Sequence, residues 1–186
     1  MKYFIMQQDP RILEQPSILD SPQDIDPIEW YEGKVVNDPK VPILLKLSPR
    51  SSDFRGDIID GILTLFHDCL RDGLVKLGVD NVQYFPVELE NQFGEIEIGY
   101  SLVNIIGLLD AVDRTASTIK FVDDGSIETL YSFKIDPEKT RNFRIFRVVG
   151  APNLIIVDEA LKDELISSID PSGVWMYPTE EYDGWS

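Results

Sequence analysis

The segment Asp158-Glu-Ala-Leu-Lys-Asp-Glu-Leu-Ile-Ser-Ser-Ile-Asp-Pro-Ser-Gly-Val-Trp-Met-Tyr-Pro178 decides the reading of the fold. Its first half is an amphipathic helix: Leu161, Leu165, Ile166 and Ile169 form an inner face, Asp158 caps the start, and Pro171-Ser172-Gly173 closes the end. Its second half is a short aromatic strand ending in proline. The same plan recurs when Pro86 is laid over Pro178, an offset of 92 residues. Leu70, Leu74 and Leu77 then meet Lys162, Ile166 and Ile169, and Val82-Gln-Tyr-Phe-Pro86 meets Val174-Trp-Met-Tyr-Pro178. Whether the match is a duplicated unit or a chance likeness of two ordinary helix-to-strand units, it predicts two helices packed on a mostly antiparallel sheet. The fold class is therefore α+β, with two related helix-strand units as an option.

Outward from these units, Ile62, Leu65, Phe66, Cys69, Leu70, Leu74 and Leu77 recur at spacings of three and four, predicting one helix that ends at Gly78. Strands are predicted at residues 2–7, with Tyr3 and Ile5 on one face, at Pro42–Leu47, and at Val82–Leu89, where Pro86 implies an edge or a bulge. Further extended segments are Ile96–Tyr100, Leu102–Leu109, Ile127–Ile135 and Phe143–Val149. Gly150-Ala-Pro-Asn153 reads as a turn and Leu154–Val157 as a short buried run. Pro10 to Pro42 is rich in Pro, Asp and Gln with little periodicity, so it is either an ordered wrap or a mobile arm. Within it, Trp30 and Tyr31 are either anchors to the core or a binding hot spot.

The whole chain, 1–186, reads as one globular domain with an acidic aromatic tail at 179–186. Against 17 Lys and Arg stand 33 Asp and Glu, a formal charge of −16, while 43% of residues are hydrophobic. Such acidity on a normally apolar chain decorates a folded body and disfavours direct contact with nucleic acid or anionic membranes. A basic protein partner is favoured. Cys69 is the only cysteine, so no intramolecular disulfide can form. No apolar run reaches membrane-spanning length, and MKYFIMQQDP is too short in apolar residues for a signal peptide, so the expected location is cytoplasmic.

The catalytic inventory is thin. Cys69 falls on the apolar stripe, where a core thiol is the plain reading, and His67 lies on its flank. No nucleotide loop, nucleophile elbow or zinc motif occurs, and no cofactor is expected. Asp110 and Asp113 would share a face if their segment is helical, which admits a carboxylate-based hydrolase; turn-capping and pairing with Arg114 explain them equally. Asp57 and Asp60 precede the predicted helix, where their charge suits its dipole. Arg141, Arg144 and Arg147 form a local basic spot, most simply used for internal neutralisation.

These residues together carry a resemblance. Asp80-Asn-Val-Gln-Tyr-Phe-Pro-Val87, the run Tyr100–Ser117, Phe146-Arg-Val-Val-Gly-Ala-Pro152 with Leu154-Ile-Ile-Val157, the closing helix and Gly173–Pro178 are similar in order and spacing to immunity protein family 11 of bacterial polymorphic toxin systems. The likeness covers about residues 40 to 178 and the opening strand. It implies a non-enzymatic protein that protects its producer by binding a toxin encoded beside it. Signature positions carried over are Gln83, Tyr84, Pro86, Asn104, Asp110, Asp113, Ser117, Phe146 and Arg147. Pro10–Pro42 matches least, and Asp158 stands where the family usually opens its last helix with serine, a change that keeps the capping chemistry. The implied mechanism is occlusion of a toxin with a basic face, with Trp30, Tyr31, Tyr182 and Trp185 as candidate anchors. A non-enzymatic adaptor is the alternative, and the oligomeric state is left open.

Overall fold

The structure, a computed structural model, describes residues 1–22, 25–40 and 42–184. In chain order the elements are β1 (Tyr3–Gln8), β2 (Ile43–Lys46), β3 (Ile58–Ile59), β4 (Leu65–His67), α1 (Asp68–Lys76), β5 (Val82–Glu90) and β6 (Ile96–Ile105). They continue with β7 (Leu108–Leu109), β8 (Ile119–Phe121), β9 (Ile127–Leu130), β10 (Ile145–Val148), β11 (Ala151–Asp158), α2 (Glu159–Ser168) and β12 (Val174–Pro178). The α+β expectation holds: two mixed, mostly antiparallel five-stranded sheets accompany the two helices, and β8 and β9 make a separate ribbon.

One sheet runs β2-β5-β6-β4-β3 and the other β12-β1-β11-β10-β7. Four strands of each share one spatial arrangement. In each, an antiparallel hairpin (β3–β4 or β10–β11) leads into a helix and then a strand (β5 or β12) that returns parallel to the second hairpin strand, two places away. An antiparallel strand fills the gap: β6, which follows in the chain, or β1, which comes from the other end of it. Each sheet adds one outer strand in parallel, β2 beside β5 and β7 beside β10. The offset of 92 residues seen in the sequence superposes Val82 on Val174, the first residues of β5 and β12.

Each sheet buries both faces. On β1, Phe4 and Met6 join the cluster shared by both sheets and both helices, with Leu70, Leu74, Leu161 and Leu165. Tyr3 and Ile5 point to the outer face of their sheet, which is covered by Ala111, Val112, Phe133, Ile135 and Tyr182. The first sheet's outer face, including Phe85, Val87 and Leu102, is covered by Ile25 and Trp30. Double burial explains why Leu154–Val157 is uninterrupted apolar sequence rather than an alternating one.

Several local expectations are corrected. The predicted helix beginning at Ile62 starts only at Asp68, because Leu65 and Phe66 belong to β4 and send their side chains to opposite faces of the sheet. Their spacing to Leu70 mimics a helical stripe across a strand-to-helix junction. Ile62 and Cys69 are consequently exposed rather than in the core. On α2, Leu161 and Leu165 are buried as expected but Ile166 is 47% exposed. The turn before β11 is confined to Val149-Gly150, the strand begins at Ala151, and β9 stops at Leu130. Residues 96–105 form one strand rather than two segments. Asp158 caps α2 by accepting from the Leu161 N–H at 2.6 Å, and Gly78 follows the α1 cap with φ +79°. Pro86 lies in a strand flanked on both sides, one residue before β2 begins to pair and just ahead of a register shift between Val87 and Leu89.

Candidate functional site

Gln83 on β5 and Asn104 on β6 are register partners in the centre of a sheet. The Asn104 amide donates to Gln83 Oε1 at 2.8 Å and to the Lys34 carbonyl at 2.7 Å. Gln83 in turn accepts from the Val36 N–H at 2.9 Å and donates to the Val36 carbonyl at 3.1 Å, so its side chain pairs with a peptide group as a neighbouring strand would. Segment 34–36 of the wrap is therefore ordered against the sheet by the two signature amides. Gly33, just before it, has φ +66°, and a Cβ there would lie 2.2 Å from the Leu108 nitrogen; only glycine allows this approach. The Gly33 carbonyl accepts from Gly107, whose own carbonyl accepts from Arg147.

Arg147 is the largest fully buried side chain, 1% exposed. Its Nη1 donates to the carbonyls of Pro152 at 2.8 Å and Asn153 at 3.0 Å, and its guanidinium lies 4.8 Å from the centre of the Tyr31 ring. Burial weakens its hold on the proton, opposed by the nearby Tyr31 and Asp60. The Tyr31 hydroxyl, shared between the carbonyls of Gly61 and Ile62, clips the wrap to a turn of the first sheet. Trp30 is 5% exposed and meets Phe85 edge to face at 5.3 Å. Both aromatics thus hold the wrap in place. Gln83, Asn104 and Arg147 converge on one stretch of it, residues 31–36.

The remaining signature residues are placed elsewhere. Phe146 is in the core against Tyr3, and Tyr84 packs on the shared cluster with its hydroxyl buried and without a hydrogen-bond partner among the described residues. Asp110, Asp113 and Ser117 lie in an irregular loop, not a helix. Asp113 Oδ1 accepts from the Thr115 hydroxyl at 2.7 Å and from the N–H groups of Thr115 and Ala116, which holds the carboxyl below its ordinary range. Asp110 is exposed beside Arg114 at 3.4 Å, and Ser117 accepts from Lys134 N–H. This is turn-capping, one of the two readings of the sequence.

His67 is the N-cap of α1, its Nδ1 accepting from the Cys69 N–H and lying 3.3 Å from Asp57. Asp57 accepts from Ser172 N–H at 2.6 Å, joining the two helix-strand units. The expectation that Asp57 and Asp60 serve the helix dipole is overturned, since α1 starts eight or more residues later. Arg144 meets Glu164 at 2.6 Å and Asp158 at 3.8 Å, the internal neutralisation expected of it. Of the tail, Tyr182 is 8% exposed and packs on Phe133; Trp185 lies outside the described residues. No group of three or more metal-ligating side chains occurs among the described residues, and none of their helices is long and apolar enough to cross a membrane.

One cleft of about 590 Å³ opens where β1 and β12 meet the turn after β3. Its wall is the stacked pair Trp175 and Tyr177, with ring centres 4.1 Å apart, and its polar groups include Gln7, Asp60, Glu181 and Asp183. Asp60 Oδ1 accepts from the Thr64 hydroxyl at 2.9 Å and from Gly61 N–H at 3.1 Å, while burial raises the carboxyl above the ordinary aspartate range. Sequence reading missed this site. The signal available was Trp175 and Tyr177 two apart on a strand, hence on one face.

Residues 5–181 match the immunity protein family Imm11, and the chain belongs to that family. Its general role is accordingly that of an immunity protein acting against a toxin. The chain finds no match among curated proteins.

Proposed function

We propose that the protein neutralises its cognate toxin by stoichiometric binding that covers the toxin's substrate cleft. The observation that carries this reading is where the signature side chains go: Gln83, Asn104 and Arg147 are spent on holding the wrap, so they shape a surface and offer no reactive group to solvent. An inhibitor by occlusion needs such a surface and no turnover. A charge of −16 suits a partner with a basic face, since complementary fields raise the association rate and favour the right partner. The cytoplasm of the producing cell is where this protection would be needed.

The test is titration of the toxin domain encoded beside this chain with purified protein while toxin activity is followed. Complete loss of activity at an equimolar ratio, with association slowed by added salt, is the expected result. Neutralisation by sub-stoichiometric amounts would indicate turnover of the toxin or its product and overturn occlusion. Asp110 and Asp113 do not line the cleft described above and are engaged in turn-capping and with Arg114, which gives the hydrolase alternative no support.

A further inference from the structure

We propose that the cleft between β1, β12 and the Asp60 turn receives a basic side chain, arginine or lysine, from the toxin; this rests on the binding reading above. Three carboxylate residues, Asp60, Glu181 and Asp183, contribute to its lining, and no Lys or Arg does among the described residues. A cavity whose charged lining residues are all acidic is complementary to a cation, with Arg147 acting on Asp60 only through its field and Arg11 lying outside the lining, over Trp175. The geometry is specific beyond charge. Both donors to the Asp60 side chain reach Oδ1, and no hydrogen bond is made to Oδ2 by the described residues. Burial raises the carboxyl in pKa even though the buried Arg147 charge acts against that rise, and Arg147 makes no ion pair with it among the described residues, so the desolvated group is only partly compensated.

The aromatic wall fits the same guest. Trp175 is the partly exposed face of the wall, backed by the 5%-exposed Tyr177 stacked against it, and the guanidinium of Arg11, held by Asp9, already lies 5.8 Å from the centre of the Trp175 ring. Planar guanidinium and ammonium groups bind over such faces while their alkyl stems cover apolar surface. Gln7 adds an amide oxygen, which accepts from the Tyr177 hydroxyl at 3.3 Å and so lies beside the ring. The volume of about 590 Å³ accommodates a long side chain together with flanking main chain. A partly desolvated carboxylate at the base, acidic groups at the rim and an aromatic wall together make a receptor for one protruding basic residue, the arrangement expected of a binding hot spot.

The experiment compares the dissociation constant for the adjacent-gene toxin domain between the natural chain, the double variant Asp60→Asn/Glu181→Gln, and a control double variant of equal charge change, Glu138→Gln/Asp163→Asn. The cleft variant is expected to weaken binding by about tenfold or more, chiefly through faster dissociation, and the control by less than about threefold. Hydrogen exchange of the complex is expected to protect residues 5–8 and 175–183. A toxin that binds and is neutralised, with equal affinity for both double variants and no protection at the cleft, would overturn the cleft assignment while leaving occlusion intact. A natural chain that does not bind the toxin would overturn both. Glu181→Gln alone, at an exposed position, guards against any folding effect at Asp60 and is expected to weaken binding in the same direction.

Discussion

Gln83 and Asn104 face one another across β5 and β6, joined by an amide hydrogen bond of 2.8 Å, and each also holds the backbone of residues 34–36. Asn104 is fully buried. Asn104→Ala removes donors from two acceptors that stay in place, and an expected cost is about 2–3 kcal/mol. Denaturant unfolding measures it, and hydrogen exchange should show the Val36 amide losing protection first. The Gln83→Ala and Asn104→Ala costs should not add in the double variant, because each substitution weakens the other's bonds.

Arg147 carries its charge into the core on two carbonyl acceptors and one aromatic face. Arg147→Lys keeps the charge but lacks the planar guanidinium that lies over Tyr31 while its Nη1 reaches both Pro152 and Asn153, so it is expected to destabilise by about 2–4 kcal/mol, comparable to breaking a buried polar network. Tyr31→Phe keeps the ring over the guanidinium and loses only the hydroxyl bond; about 1 kcal/mol is expected from thermal or denaturant unfolding.

Gly33→Ala tests the closest backbone approach of the wrap. With φ +66° and a Cβ position 2.2 Å from the Leu108 nitrogen, the side chain cannot be accommodated without moving β7 or residues 31–36. Loss of the cooperative unfolding transition, or increased proteolysis within residues 25–40, is the expected outcome. Gly94→Ala is the control: it too has positive φ, but nothing lies within 4 Å of its Cβ position.

Asp60 gives a pH dependence of defined sign. Burial raises its folded pKa, so the folded state holds the proton more tightly than the unfolded chain, and stability falls as pH rises through the window above the ordinary aspartate value. Asp60→Asn is therefore expected to raise the unfolding midpoint at about pH 7 and to give little gain near about pH 3, where the carboxyl is protonated in both states. Scans of the two proteins at both pH values check it. A substitution that stabilises the fold yet weakens toxin binding would mark the carboxylate as kept for function.

Asp110→Asn and Asp113→Asn are expected to leave toxin neutralisation unchanged. Asp113→Asn should change stability little, since asparagine retains an oxygen for Thr115 and Ala116. Loss of neutralisation in a folded Asp113→Asn variant would restore a chemical role for this loop.

The sequence was legible wherever a local pattern and the final environment agreed. The 92-residue echo identified both helix-strand units, Asp158 announced its cap, and Tyr3 with Ile5 announced a strand face. Reading failed where an element changed within a few residues. Leu65, Phe66 and Leu70 have helical spacing, yet β4 gives way to α1 between them, because pairing with β6 claims the first two. Trp30 and Tyr31 left two readings open, anchor or hot spot; contact with Phe85, Arg147 and the Gly61 turn gives both an anchoring role.

Composition, periodicity and motif order by themselves determined the α+β class, the two helix-strand units, the acidic body and the resemblance to an immunity family, since all four are properties of local spacing and summed charge. Tertiary structure alone decided that β1 from the start of the chain and β6 from its middle occupy equivalent gaps, that signature amides bind the wrap, and that Asp60 meets Trp175 and Glu181 at one cleft. Those pairings join residues up to 174 positions apart, and no local propensity encodes them: they arise from burying both faces of two sheets at once, with the polar groups caught between left to find partners.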